Sequence, residues 1–210
     1  MNTNSNLNKK EISKSLKYIK YFLLTIAIFI PLYVVFTETR IGKDLGGISL
    51  NLLFLSLIIG PLSKIFTKNI TGKIFSFLLS IRGEIGILMA STAIGHGLSF
   101  LTNPFFQGFM SDTSIPFMQK LPTVLGIWAM LLTIPLFITS NIYLKDKMGK
   151  WWFRLHKLAY AIFILGALHA ATVKSGFNIE STMKASLILI IYILIVLASK
   201  KWVVKRDAAL

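Results

Sequence analysis

Cysteine is missing from this 210-residue chain, which excludes disulfides, thiolate metal sites and cysteine-ligated iron–sulfur clusters. Acidic residues are scarce as well. There are eight Asp and Glu, and only Glu84 stands at any depth in an apolar run. Proton pumps and ion-coupled transporters mark their pathways with buried ionisable groups, and no chain of carboxylates exists here to serve as one. A phosphate-cradling loop is lacking too: GKDLGG, at residues 42–47, has neither the Lys-Ser/Thr ending nor the strand context of a Walker A loop. The sequence shows no repeat, no Ser-rich linker and no low-complexity block.

What is present is grease and positive charge. Hydrophobic residues make up 54% of the chain, 16 of them Phe, and the mean hydropathy is +0.69. That composition places the protein in a membrane. Apolar runs recur near residues 18–38, 46–66, 76–101, 122–143, 155–175 and 183–203, each close to the roughly 20 residues a spanning helix needs. Pro31, Pro61 and Pro135 interrupt some of them, as membrane helices tolerate. The first run follows a polar start and has no small-residue cleavage site, so it is expected to be retained rather than removed as a signal peptide. The expected fold is all-α: a six-helix transmembrane bundle over 18–203, a polar N-terminus at 1–17 and a tail at 204–210.

The net charge of +15 is a topology signal. Eighteen Lys and Arg fall before the first run, between runs two and three, between four and five, and after the sixth. Only Arg40, Lys43, Lys120, Lys174 and Lys184 fall on the other side. The positive-inside rule then puts both termini in the cytoplasm, with anionic lipid headgroups as counterions. Nucleic acid is not expected as a partner. On the outer side, TNPFFQGFMSDTSIPFMQK is too aromatic for a simple hairpin, and reads either as an interfacial belt or as a docking surface.

Three histidines remain, two of them in WWFRLHKLAYAIFILGALH. With runs three and five both directed outward, His96 and His169 lie at similar depth on parallel helices. Two neutral imidazoles so placed can clamp one haem iron from both faces. Gly95, Gly97, Gly166, Ala167, Ala170 and Ala171 flank them and suit either a porphyrin plane or close helix packing. Ser91, Thr92 and Thr172 are candidate partners for the ring nitrogens facing away from the iron. His156 lies thirteen residues before His169, about 20 Å nearer the cytoplasm, with Arg82 at its depth. Arginine stays protonated and ligates iron poorly, yet it can pair with a haem propionate or a flavin phosphate; Glu84 can equally neutralise it. In a straight helix thirteen residues leave His156 and His169 roughly 140° apart. Either the helix is distorted, around Gly166 for example, or the rings face different sides.

MGKWWFRLHKLAYAIFILGALH, RGEIGILMASTAIGH and LLFLSLIIGPLSK together resemble the ferric-reductase-like transmembrane domain family, in particular its MsrQ (YedZ) subgroup. The matching positions are Pro61, Leu62, Arg82, Gly86, His96, Gly149, Lys150, Trp152, Leu155, His156, Tyr160 and His169, and the likeness spans roughly residues 45 to 200. It implies a b-type cytochrome of the bacterial inner membrane. Such a subunit takes electrons from a cytoplasmic flavin reductase and passes them to an extracytoplasmic molybdopterin methionine sulfoxide reductase. It implies haem b ligated by His96 and His169, with a second haem or FMN near His156 and Arg82 left open. Because the chain ends shortly after the sixth run, no fused FAD or NAD domain is expected. Two other readings stand beside this one: a self-sufficient ferric or quinone reductase, and a non-redox scaffold or transporter whose histidines only pack.

Overall fold

The computed structural model of the protein describes residues 3–36, 42–67, 69–173 and 179–207, and among these all regular structure is helical. Arg40 and Lys174, counted above on the outer side, lie outside the described residues. The helices are α1 (Thr3–Phe36), α2 (Gly42–Ile65), α3 (Asn69–Ser80), α4 (Arg82–Leu101), α5 (Pro104–Ser111), α6 (Phe117–Ile138), α7 (Ile142–Met148), α8 (Lys150–Leu155), α9 (Leu158–Thr172) and α10 (Ile179–Asp207). Among the described residues five stretches are long and apolar enough to cross a membrane: Lys14–Val34, Asp44–Ile65, Arg82–Leu101, Phe117–Ile138 and Lys150–Thr172. The chain is a multi-pass membrane protein.

Two of these stretches depart from the apolar runs in the sequence. The third begins at Arg82 rather than near residue 76, because the chain breaks at Ile81. There the Ile81 N–H is shared between the Phe77 and Leu78 carbonyls at 3.3 Å each, and residues 69–80 form the separate helix α3. The fifth is broken as well, into α8 and α9 at His156–Lys157. Gly166 lies inside an uninterrupted α9, so the distortion that frees His156 from its straight-helix direction is at His156 itself.

Helices α2, α4, α6 and α9 pack in a closed ring of neighbours, with α1 on the outside of α4 and α10 against α2 and α9. The ring is filled midway by Leu53, Leu57, Met89, Ala90, Leu136, Ile162 and Phe163. Hydroxyls in this apolar interior return to carbonyls of their own helix: Thr92 to Leu88 at 3.0 Å and Thr133 to Ala129 at 2.8 Å. No water is needed there to satisfy them. Two polar ties bind α1 to α4: Ser91 donates its hydroxyl to the Ala27 carbonyl, and Lys20 pairs with Glu84 at 3.0 Å.

Phe163, 1% exposed, is the largest fully buried side chain. It stacks on Phe54 and tilts against Tyr192 at centroid distances of 6.2 and 5.7 Å. Phe163→Ala is expected to leave a cavity that the ring cannot close, at a cost of about 3 kcal/mol. A lowered thermal unfolding midpoint in detergent would register it.

Candidate cofactor site

His96 projects from α4 and His169 from α9 into one space at the bundle end that the charge pattern is expected to turn outward, called the outer end below. Their ring centroids are 6.0 Å apart with planes inclined at 65°. Each ring is held by the backbone of a different neighbour, in the same way. Nδ1 of His96 lies 2.6 Å from the Gly42 carbonyl on α2, and Nδ1 of His169 lies 2.7 Å from the Pro122 carbonyl on α6. A carbonyl only accepts, so each Nδ1 carries the proton and each Nε2 presents its lone pair. Neither Nε2 has a hydrogen-bond partner among the described residues.

Close approach of ring to helix is possible because the seat is glycine on both sides. A Cβ on Gly46 would fall 2.8 to 3.1 Å from the three nearest atoms of the His96 ring, and one on Gly126 would fall 2.8 to 3.2 Å from the three nearest of His169. In both cases the accepting carbonyl belongs to the residue four positions before that glycine, so ring and hydrogen bond use the same turn of helix.

This donor set fits a haem iron. Two imidazoles on opposite sides of one metal, each bonded at about 2 Å, bring their centroids roughly 6 Å apart. Among the described residues no three His, Cys, Asp or Glu side chains converge. Two imidazoles alone are too few donors for a bare ion, whereas a macrocycle brings its own equatorial nitrogens.

The same helix pairs meet again at the inner end. Gly60 faces Arg82 fourteen residues from the Gly46–His96 contact on each helix, and a Cβ on Gly60 would lie 3.2 Å from an Arg82 guanidinium nitrogen. Thr139 faces His156 thirteen residues from the Gly126–His169 contact on each helix. The two levels are therefore about 20 Å apart, with Arg82 within electrostatic range of His156. Glu84 is engaged with Lys20. The expectation that Glu84 neutralises Arg82 is not met, and Arg82 has no acidic partner among the described residues.

His156 is held differently from the outer pair. The Thr139 hydroxyl already donates to the Pro135 carbonyl at 2.7 Å, so the 3.3 Å contact is His156 Nε2–H donating to that hydroxyl. Its ring stacks on Trp152 at 3.8 Å with 25° between planes, and the Trp152 indole N–H donates to the Thr139 carbonyl at 2.8 Å. The nitrogen free at His96 and His169 is the occupied one here.

Several sequence expectations change accordingly. Ser91, Thr92 and Thr172 do not support the histidines: they bond the carbonyls of Ala27, Met89 and Leu168. The small residues beside the histidines serve helix contacts. Gly95 packs on Ile30, Leu45 and Val34, and Gly97 on Met130, while Ala167 and Ala171 are buried. Sequence reasoning missed the seats, Gly46 and Gly126. Their signal was a glycine at histidine depth on a neighbouring apolar run, twice, with the accepting carbonyl four residues upstream.

The outer aromatic segment forms α5, which lies over this end. Asn103 caps its first turn by accepting at Oδ1 from the Phe105 N–H at 2.9 Å, and the Lys120 ammonium donates to the Met110 carbonyl of its last turn at 3.0 Å. Two hydrogen bonds from Ser114 hold the Asp112 carboxyl below the usual carboxylate range. From the site, an edge-on series of rings leads to α5: His96 to Phe100 at 5.0 Å, then Phe100 to Phe106 at 6.1 Å.

A family model described as ferric reductase like transmembrane component matches residues 45–167. Among curated proteins, the heme-binding subunit MsrQ of protein-methionine-sulfoxide reductase from Agrobacterium fabrum is 26% identical over 148 residues, 70% of this chain and 64% of that subunit. The subunit of the same name from Azospira oryzae is 34% identical over 131 residues, 60% of this chain and 52% of its own length. Magnetosome protein MamZ of Magnetospirillum gryphiswaldense is 30% identical over 152 residues, 72% of this chain but 22% of its own. The chain thus spans between half and two thirds of the two MsrQ subunits it matches. No solved structure matches it.

Proposed function

The chain belongs to the ferric reductase like transmembrane component family, and on that premise we propose that it is a haem-binding membrane subunit that conducts electrons across the bilayer. One observation carries the reading: two imidazoles from α4 and α9, each tethered through Nδ1, stand 6.0 Å apart with both Nε2 lone pairs unclaimed. His96 and His169 would hold the iron of one haem b. The bound group supplies reversible one-electron chemistry that no side chain of this cysteine-free chain provides.

The chain's own residues position and tune that group. The Gly42 and Pro122 carbonyls fix each ring's tautomer and raise its basicity toward the metal. Arg82 keeps its charge at the inner level and is placed to pair with a haem propionate or a flavin phosphate. His156, tied by its Nε2–H to Thr139 and stacked on Trp152, belongs to the inner approach rather than to the outer pair. We place both termini in the cytoplasm, with α10 as the sixth span and the bacterial inner membrane as location. The name shared by the MsrQ relatives supports a place in a methionine sulfoxide reductase system. There a cytoplasmic flavin reductase is the donor and an extracytoplasmic molybdopterin reductase the acceptor.

Purified protein expressed with haem is expected to show a low-spin Soret band and, on dithionite reduction, a sharp α-band. A colourless preparation would remove the redox reading. His156→Ala should keep the outer-level spectrum while slowing reduction by a flavin reductase, and stopped-flow absorbance distinguishes the two effects. Loss of all haem in that variant would overturn the assignment of levels. Reduction of ferric citrate with only a flavin reductase present would favour the self-sufficient reductase instead.

A further inference from the structure

The link between α6 and α9 is built for something its length alone does not require. After Asn141 caps α7 by accepting from the Leu144 N–H at 2.8 Å, the chain turns at Gly149, whose φ of +51° is a conformation that favours glycine. It then runs through α8 and is pinned back to the end of α6 by the Trp152 indole on Thr139. The result is a fixed elbow at the bundle end that carries Arg82 and His156.

Its surface combines two properties. Tyr143, Trp151 and Phe153 are 69%, 67% and 61% exposed, and cations lie over aromatic faces: Arg154 over Trp151 at 4.8 Å, Lys145 over Trp152 at 5.3 Å and Lys147 over Tyr143 at 6.0 Å. The elbow has one acid, Asp146, and among the described residues none of these three cations is ion-paired. A guanidinium stacked on an indole keeps its N–H edge open, the geometry for gripping a phosphate with two parallel hydrogen bonds. Exposed Trp, Tyr and Phe are at home at the boundary between headgroups and acyl chains. An acidic protein surface would match the cations but leave the three rings without a place.

We propose that the α7–α8 elbow is a binding site for an anionic phospholipid, with Lys145, Lys147 and Arg154 on the phosphodiester and Trp151, Tyr143 and Phe153 among the upper acyl carbons. The proposal does not depend on whether the protein carries electrons.

Native mass spectrometry of the detergent-solubilised full chain, offered equal phosphatidylglycerol and phosphatidylcholine, tests it. Wild type is expected to retain phosphatidylglycerol preferentially. The triple variant K145Q/K147Q/R154Q should lose roughly tenfold or more of that preference, as removal of three headgroup-level cations implies. K14Q/K64Q/K73Q removes the same charge from α1, α2 and α3 at the same bundle end and should leave the preference standing. Equal losses in the two triple variants would reduce the effect to diffuse charge and overturn the site, as would no preference in wild type. Retained lipid preference with lost affinity for an acidic flavoprotein would reassign the elbow to protein docking. If the first variant fails to fold, W151A/F153A keeps every charge and should still weaken phosphatidylglycerol retention; unchanged retention there refutes the seat.

Discussion

Purified His169→Ala protein, loaded with haem as wild type is loaded, is expected to lose its low-spin spectrum. The reason is the economy of the donor set. His169 supplies one of two unclaimed Nε2 lone pairs at the outer level, and the third imidazole is held about 20 Å away by Thr139. The remaining His96 would hold the iron from one side only, which gives a high-spin spectrum and far weaker retention. His96→Ala should mirror it. The seat at Gly126 and Pro122 survives the His169→Ala change, so free imidazole added at millimolar concentration should restore much of the low-spin signal. A merely destabilised bundle would not respond in that way. An unaltered low-spin spectrum in either variant would refute the ligand pair.

Gly126→Ala is expected to have the next largest effect, although alanine is the smallest side chain available and ordinarily favours a helix over glycine. The added methyl would lie 2.8 Å from Nδ1 of His169, well inside van der Waals contact. The ring must move, and the hydrogen bond to Pro122 goes with it. Loss of such a support typically weakens metal binding by 10–100-fold, and haem titration should fall in that range. The midpoint potential should rise, because a ring no longer donating through Nδ1 is the weaker base toward iron. Gly46→Ala should behave alike at His96. Gly47→Ala is the control: a Cβ there meets nothing within 4 Å, and neither affinity nor potential should change. Equal effects at Gly46 and Gly47 would mean that helix flexibility, not the seat, is at stake.

Depth was legible in the sequence, and neighbourhood was not. Hydrophobic runs and their directions put His96 with His169 and Arg82 with His156, and the structure keeps both levels. They could not say that α2 lies against α4 or α6 against α9. For that reason Gly46 read only as part of a failed phosphate loop, and Gly126 drew no notice. Local hydroxyls near the histidines looked like natural supports, but Thr92 and Thr172 bond carbonyls of their own helices and Ser91 bonds Ala27 of α1. The break at Ile81 was hidden for a related reason. Apolar residues stand on both sides of Arg82, Gly83 and Glu84, so the segment reads as one run, and the end of α3 shows only in the long, shared hydrogen bonds of the Ile81 N–H. Glu84 misled by proximity. It sits two positions from Arg82, yet Lys20 of α1 takes it.

The two tethers on Gly42 and Pro122 also bear on how the subunit is assembled. Both proposed ligand side chains, His96 and His169, are held by helix contacts alone, so their conformational freedom is already lost when the bundle closes. Haem capture would then add bonds without having to arrange the residues that make them. Such a protein should persist as a folded apoprotein in the bilayer, accept its prosthetic group after insertion, and exchange it without unfolding. Cofactor supply, rather than folding, would set how much active carrier a cell contains.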